Sequence, residues 1–310
     1  MYKGYSVTTV VPAHNEAQHV CRVAQTMPAF VDHIIVVDDC SQDGTAEAAL
    51  TCGDVRLILR RTPFNQGVGG AVVLGYRVAV ELGSDIVVKM DGDGQMPPEY
   101  LPQLLDAIVD QGYDYAKGNR FLAGDLKQMP RRRLFGNIVL TFLTKLASGY
   151  WHIFDPQNGY TAIKGDVLRT LDLDTIHKRF FFENDMLVHL NLLNFRVKDV
   201  AIPARYGGEL SDISLIGTGL TFPLMLLRRY FRRIYHKYVL RDFSPIALFL
   251  FLGTVLFSWG GLFGLYIWIK SYFTQHATST GTIMLALLPL ILGFQLLLQA
   301  FVMDIEETPK

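Results

Sequence analysis

Short apolar runs alternate with amphipathic stretches over the first 120 residues. Ser6–Pro12, His33–Asp38, Val55–Leu59 and Ile86–Met90 are rich in valine and isoleucine with little polar interruption. Runs of that kind fit parallel strands covered on both faces. Between them, Ala17–Met27, Thr45–Thr51 and Gly69–Leu82 carry helical spacing. Regular β–α alternation predicts a doubly wound, mostly parallel α/β sheet. Residues 121–205 are less regular, with helices expected over Leu134–Leu146 and Asn184–Asn194 and a strand over Arg196–Ile202.

The C-terminal third has a different pattern. Leu224–Val239 reads as an amphipathic helix: Leu227, Phe231, Ile234 and Tyr238 share a stripe, and Arg228, Arg229, Arg232, Arg233, His236 and Lys237 fall on others. We expect this helix to lie on a membrane surface, each basic residue contributing about 1 kcal/mol against anionic lipid. Two uncharged runs follow, Pro245–Ile269 and Thr282–Met303. A bilayer core about 30 Å thick needs about 20 such residues as a helix, so both are long enough to span it. The alternative is a hairpin buried in a soluble core. Basic residues crowd the approach to the first run, whereas Lys270 is the one charge between the runs. The positive-inside rule then places residues 1–240 in the cytoplasm, and no signal-peptide pattern opens the chain.

This layout predicts a catalytic domain over residues 1–210, a juxtamembrane region over 211–244, a two-helix hairpin over 245–303 and a cytoplasmic tail over 304–310. The 29 basic and 29 acidic residues cancel, so bulk attraction to nucleic acid is not expected. Cys21, Cys40 and Cys52 lack metal-site spacing and read as reduced thiols.

In doubly wound sheets ligands bind beyond the carboxyl ends of the strands. The polar clusters lie there: PAHNEA, DDCSQDGT and DGDGQ. Gly67–Gly70 precedes a helix, but no lysine–serine or lysine–threonine pair follows, so a P-loop is not expected. Asp91 and Asp93 stand two apart on a short turn after an apolar strand. Like charges so placed repel unless something positive lies between them. Both can reach a divalent cation, with the Gln95 carbonyl in range; the competing reading is a solvated Asp-Gly turn. Asp43 reads as a helix cap.

The segments VVPAHNEA, VVDDCSQDGT, NQGVGGA, MDGDGQMPPE and GNRF, in this order and spacing, resemble the inverting nucleotide-sugar glycosyltransferases of GT-A type. With the C-terminal amphipathic helix and two apolar runs, nearly the whole chain resembles the polyisoprenyl-phosphate glycosyltransferases, the group of dolichol-phosphate mannose synthases and bacterial undecaprenyl-phosphate sugar transferases. The resemblance implies a GT-A fold, a nucleotide-sugar donor, a polyprenyl phosphate acceptor in the cytoplasmic membrane, and self-association that no residue here specifies. It implies that Pro12, Ala13, Asn15, Glu16, Asp39 and Asp91 line the nucleotide. Asp91, Asp93 and Gln95 would hold Mg²⁺ or Mn²⁺ on the diphosphate. Arg131, Arg132 and Asn158 would meet the acceptor phosphate, beside Asp155 and Gly159, with Arg133 continuing the basic run. Asp93, Arg120 and Asp185 would form the catalytic group.

The chain departs from the family pattern in three places. Cys40 stands where glycine or serine is usual, Val68 where lysine is common, and Tyr206–Ser211 where an arginine usually precedes the serine. A phosphate acceptor is already mostly anionic at neutral pH, its second pKa being about 6. Glu183 and Asp185 are therefore expected to position groups rather than to take a proton. The rival readings are a processive polysaccharide synthase, for which no QxxRW occurs in the sequence, and a non-catalytic membrane scaffold.

Overall fold

The computed structural model describes residues 1–122, 131–203, 215–241 and 243–309, with backbone alone at 131–135, 137 and 215–220. Two compact units are present, one over Met1–Arg229 with the last two residues and one over Tyr230–Thr308. Among the described residues the larger unit has seven strands: β1 (Val7–Ala13), β2 (His33–Asp38), β3 (Leu57–Arg61), β4 (Ile86–Lys89), β5 (Tyr115–Asn119), β6 (Thr161–Lys164) and β7 (Val197–Ala201). Their order is β3-β2-β1-β4-β6-β5-β7. Every neighbouring pair is parallel except the two made by β6, which runs against both β4 and β5. The arrangement is a GT-A-like mixed α/β sheet with mostly parallel strands.

Successive residues of a strand point to opposite faces, and the apolar runs serve two cores accordingly. Val7, Val11, Ile34, Val36, Ile86 and Val88 enter one core, while Val10, Ile35, Val37 and Val87 enter the other. Helices α1 (Val20–Gln25) and α4 (Leu101–Val109) pack on the first face, and α3 (Val68–Glu81) packs on the second. Gly75 of α3 faces β1 so closely that a Cβ there would lie 2.2 Å from Val10 Cγ1.

Strand β3 begins two residues later than expected and runs out to Arg60 and Arg61, because an edge strand tolerates exposed arginines and Val55 is fully exposed. Strands β5 and β6 were not expected. The β5 sequence YAKGN contains a lysine and a glycine, yet every residue in it is buried. Asn119 of β5 donates to Asp199 of β7 at 2.6 Å, and the Phe154 amide donates to the same carboxylate oxygen at 2.8 Å. Between α2 (Thr45–Leu50) and β7 lie α5 (Arg131–Ser148), α6 (Gly165–Thr170) and α7 (Phe182–Leu192) among the remaining helices.

The amphipathic segment forms the end of α8 (Leu215–Ile234) and a π-helical turn over Tyr235–Arg241. Its basic face is not all free for lipid, which corrects the expectation. Arg233 is buried and makes a two-pronged pair with Asp304 at 2.7 and 2.8 Å, and Tyr238 donates to Asp304 at 2.6 Å. Lys237 is buried as well. Arg229 is held by Asp185 at 2.6 Å. Spacing shows which residues share a stripe, but not which stripe meets another part of the chain. The exposed residues here are Leu224, Leu227, Arg228, Phe231, Tyr235, His236, Val239, Leu240 and Arg241, with Arg232 partly exposed.

The apolar runs form α9 (Pro245–Thr274) and α10 (Thr280–Glu306), each long and apolar enough to cross a membrane. They pack through glycines: a Cβ on Gly293 would lie 2.3 Å from the Phe257 amide nitrogen, and one on Gly260 would lie 2.5 Å from that of Leu290. Such close backbone approach is the packing mode of membrane helices. Their outer faces are exposed, with Leu262 at 70 %, Trp268 at 71 % and Phe273 at 79 %. A hairpin at the centre of a soluble core would bury those side chains.

The Arg233–Asp304 pair yields a stability prediction. Removing one partner of a buried ion pair leaves an uncompensated charge, at a cost of about 3–5 kcal/mol, while replacing both with apolar groups is often neutral. Asp304→Leu should lower the melting temperature in detergent, and Arg233→Met/Asp304→Leu should recover most of the loss. A double variant no more stable than the single one would refute the pairing.

The Asp199 carboxyl yields a pH prediction. Burial raises its pKa to about 6, against hydrogen bonds from Phe154 and Asn119 and the charge of Lys117, which lower it. The folded state therefore binds this proton more tightly than the unfolded chain does. That stabilisation is complete below about pH 4 and lost as pH rises through about 6. Asp199→Asn should gain stability over wild type across that window, up to about 3 kcal/mol above pH 6. Thermal melts of both proteins from pH 4 to 8 check this, and parallel curves would contradict it.

Candidate active site

The loop after β4 carries the two acids. Gly92 fits there because the end of β1 passes against it: its amide donates to the Pro12 carbonyl at 3.2 Å, and a Cβ would lie 3.1 Å from that oxygen. This contact brings Pro12 and Ala13 beside Asp91 and Asp93. The Asp93 carboxylate accepts the Gln95 amide at 2.8 Å, and Gly94 turns the chain at φ +74°.

Asp91, Asp93, Gln95, Arg120, Asn158 and Gly159 all line one cleft of about 170 Å³. Arg120 follows β5 and points its guanidinium at Asp155, with Nε 2.8 Å and Nη2 3.0 Å from the two carboxylate oxygens. The Arg120 amide donates to the same carboxylate at 3.1 Å. Asp155 is buried, so this arginine is fixed in a planar, two-pronged geometry. Asn158 is largely buried: its side-chain oxygen accepts the Tyr160 amide at 3.0 Å, and its carbonyl accepts from Lys117. It shapes the cleft floor more than it projects from it. The side chains of Arg131, Arg132 and Arg133, at the start of α5, and the segment Tyr206–Ser211 lie outside the described residues.

Other expected residues lie elsewhere. Asp39 is buried, and its carboxylate accepts from Thr62 Oγ1 at 2.7 Å, the Gln66 amide at 2.9 Å and the Gly67 amide at 2.7 Å. It anchors the glycine loop at the start of α3. Asn15 has φ +59°, with its amide on Ser41 Oγ at 2.9 Å and its side chain accepting the Gln42 amide at 3.0 Å. The Glu16 amide donates to Thr45 Oγ1 at 2.8 Å. These contacts tie the β1 loop to the β2 loop. Cys40 also takes φ +59°, a left-handed conformation in which glycine meets no steric cost. Asp43 accepts the Thr45 amide at the start of α2 and the Ala17 amide across the loop. Net of the desolvation that raises it, hydrogen bonds from the Thr45 hydroxyl and from the Ala17 and Thr45 amides hold its pKa below the ordinary carboxylate value.

Asp185 is a correction. It does not line the cleft: fully buried on α7, it accepts the His177 amide at 2.8 Å and pairs with Arg229 at 2.6 Å. Residues two apart on a helix face different ways, and Glu183 takes the other direction. It reaches Lys89, whose ammonium lies 2.9 Å from Glu183 Oε1 and 2.9 Å from Asp91 Oδ1.

A buried lysine therefore sits between Asp91 and Glu183, a group that sequence reasoning passed over. The signal was present: a lysine in a strand covered on both faces needs a buried counter-charge. Burial disfavours the ammonium, but Asp91 and Glu183 outweigh burial and raise its pKa, so Lys89 stays charged. Lys117 lies across β6 from it, both pairing in register with Thr161. Burial pushes Lys117 down to about 8, against the pull of Asp155, Glu183 and Asp199. Gly159 closes over Lys89: a Cβ there would lie 2.4 Å from the ammonium and 2.8 Å from Asp91 Oδ2.

Among the described residues no three acids, histidines or cysteines converge as a self-sufficient metal site. Two aspartates on one cleft wall fit Mg²⁺ or Mn²⁺, which commonly take one or two carboxylates and fill the remaining positions with phosphate oxygens and water.

The comparisons with known proteins agree with this geometry. The pattern described as Glycosyl transferase family 2 matches residues 8–172. The UDP-N-acetylglucosamine–dolichyl-phosphate N-acetylglucosaminyltransferase of Methanococcus voltae is 29 % identical over 238 residues, covering 71 % of this chain and 94 % of that protein. The polyprenol monophosphomannose synthase of Mycolicibacterium smegmatis is 34 % identical over 203 residues, covering 62 % and 75 %. Among solved structures, glucosyl-3-phosphoglycerate synthase from Mycobacterium tuberculosis, in complex with Mn²⁺ and UDP-glucose, superposes with a TM-score of 0.55. That match has 19 % identity and covers 74 % of this chain and 79 % of that one, a likeness of fold. With more than half of its length matched by the family pattern, the chain belongs to glycosyl transferase family 2.

Proposed function

We propose that this protein transfers a sugar from a nucleotide-sugar donor to a polyprenyl phosphate at the cytoplasmic face of a membrane. The observation that carries the reading is the convergence of Asp91, Asp93, Gln95 and Arg120 on one cleft in a chain that ends in two membrane-length apolar helices. Relatives named as dolichyl-phosphate and polyprenol sugar transferases support the acceptor class. On this reading residues 1–210 are catalytic, 211–244 juxtamembrane, 245–303 a spanning hairpin and 304–310 a cytoplasmic tail. The basic approach to α9 and the near-uncharged connection to α10 support that orientation.

Asp91 and Asp93 would hold a divalent cation, which when bound supplies positive charge to the departing diphosphate. The other steps fall to the chain's own residues. Pro12 and Ala13 place the β1 end beside the acids, where the donor's nucleotide would rest. Arg120, held flat by Asp155, offers donors to a phosphate entering the cleft. The acceptor phosphate is anionic near neutral pH and attacks the anomeric carbon without a protein base, in a single displacement with inversion. This chemistry does not require Asp185 in the cleft.

The direct test offers a panel of nucleotide sugars with undecaprenyl phosphate to the full-length protein and reads the lipid products by mass spectrometry. One sugar joined to one lipid phosphate is expected, and sugar appearing on glycan hydroxyls instead would replace this reading. Asp93→Asn should nearly abolish transfer and the metal-dependent part of donor binding, with the fold intact. Normal transfer by that variant would remove the metal role from this motif.

Arg228, exposed on α8, and Arg232, partly exposed there, generate a second expectation. Arg228→Gln/Arg232→Gln should reduce turnover on a long-chain lipid phosphate several-fold, each charge near anionic lipid contributing about 1 kcal/mol. Turnover on a short, water-soluble acceptor should change little. Equal losses on both acceptors would count against docking through this helix.

A further inference from the structure

Lys89 is absent from the site residues that the family resemblance supplies, yet it touches one of them. Its ammonium lies 2.9 Å from Asp91 Oδ1, and its second carboxylate partner, Glu183, is drawn in from the first turn of α7 at 2.9 Å. The lysine is 1 % exposed and cannot swing into the cleft, because Gly159 is packed over it with no room for even a methyl group. A cation entering the cleft thus meets an Asp91 whose charge is already shared with a fixed ammonium. That ammonium also repels the incoming cation at short range.

We propose that Lys89 is a built-in counter-cation that makes metal binding at Asp91 and Asp93 conditional on a bound diphosphate. The two aspartates, opposed by Lys89, hold a divalent ion weakly. The donor's diphosphate adds the negative charge that tips the balance, so metal and donor bind as a unit. Glu183 sets the strength of the effect by drawing part of the lysine's charge away from Asp91. Lys89 and Glu183 are positioning residues on this account and touch neither substrate nor metal. The inference rests on the reading of Asp91 and Asp93 as the metal site.

The experiment measures Mn²⁺ binding by calorimetry and by loss of the free-ion electron paramagnetic resonance signal. It uses full-length protein in detergent, with Mn²⁺ alone and with added UDP or GDP. Wild type should bind Mn²⁺ weakly alone and tightly with nucleotide. Glu183→Gln leaves the lysine wholly to Asp91 and should weaken binding of Mn²⁺ alone. Lys89→Met/Glu183→Gln removes the opposing charge without stranding a buried carboxylate and should strengthen it at least about tenfold, reducing the dependence on nucleotide. A purely structural trio would shift melting temperatures without moving metal affinity in opposite directions. If the double variant does not fold, Glu183→Gln alone decides through its direction. If wild type binds Mn²⁺ with nucleotide and the variants titrate like it, or the double variant binds more weakly, the role of Lys89 is refuted while the metal site stands. If wild type binds Mn²⁺ under neither condition, the metal-site reading itself fails and takes this inference with it.

Discussion

A charged lysine inside a strand covered on both faces constrains everything around it. An unpaired ammonium in that environment would cost more than the strand's packing returns. Lys89 meets the requirement by recruiting one carboxylate from the loop ahead and one from a helix remote in sequence. The pairing fixes the turn of α7 that faces the sheet, and so decides that Glu183 points inward while Asp185 points to Arg229. It also fixes the direction of Asp91 and requires glycine at 159. The loop at Asn158 rests on a second buried lysine, Lys117. The cleft floor is thus a neutralised bed of charges, and its shape follows from their pairing.

Much of this molecule was legible in its sequence. Strands β1, β2 and β4 announce themselves because parallel strands buried on both faces must be apolar at nearly every position. The hairpin helices announce themselves by length. Strands β5 and β6 were hidden because β6 spends two of its four positions on Thr161 and Lys164, and β5 two of its five on Lys117 and Gly118. Their burial depends on partners contributed by the segment between them, including the Asn158 carbonyl. Periodicity records what a residue prefers on its own, and not what a distant residue makes tolerable.

The same limit explains the site residues. The acids and amides after β1, β2 and β4 were singled out because ligands bind beyond the carboxyl ends of the strands in such sheets, and the fold places Asp91, Asp93 and Gln95 on one cleft. Their individual roles were less legible. Asp39, expected beside the nucleotide, accepts backbone amides of the glycine loop, and Asp43, read as a cap, accepts the Thr45 amide at the start of α2. In α8, charge counting placed Arg229, Arg233 and Lys237 on one basic face, because spacing cannot show that Asp185 and Asp304 are waiting for two of them. The proposed orientation rests on how many basic residues precede the first apolar helix, and not on whether each touches lipid.

The distribution of acids bears on the proposed chemistry. A transferase acting on a hydroxyl needs a base aimed at the acceptor, and α7 offers two acids at a plausible place in the sequence. Neither is available in the fold: one holds Lys89, and the other holds Arg229. Asp155, beside the cleft, holds Arg120. Among the described residues, the carboxylates left on the cleft wall are Asp91 and Asp93, both partly exposed. A site that spends its other nearby acids on fixing cations is poorly arranged to remove a proton and well arranged to receive anions. An acceptor that arrives as a phosphate, already charged, is the kind of nucleophile such a site can use.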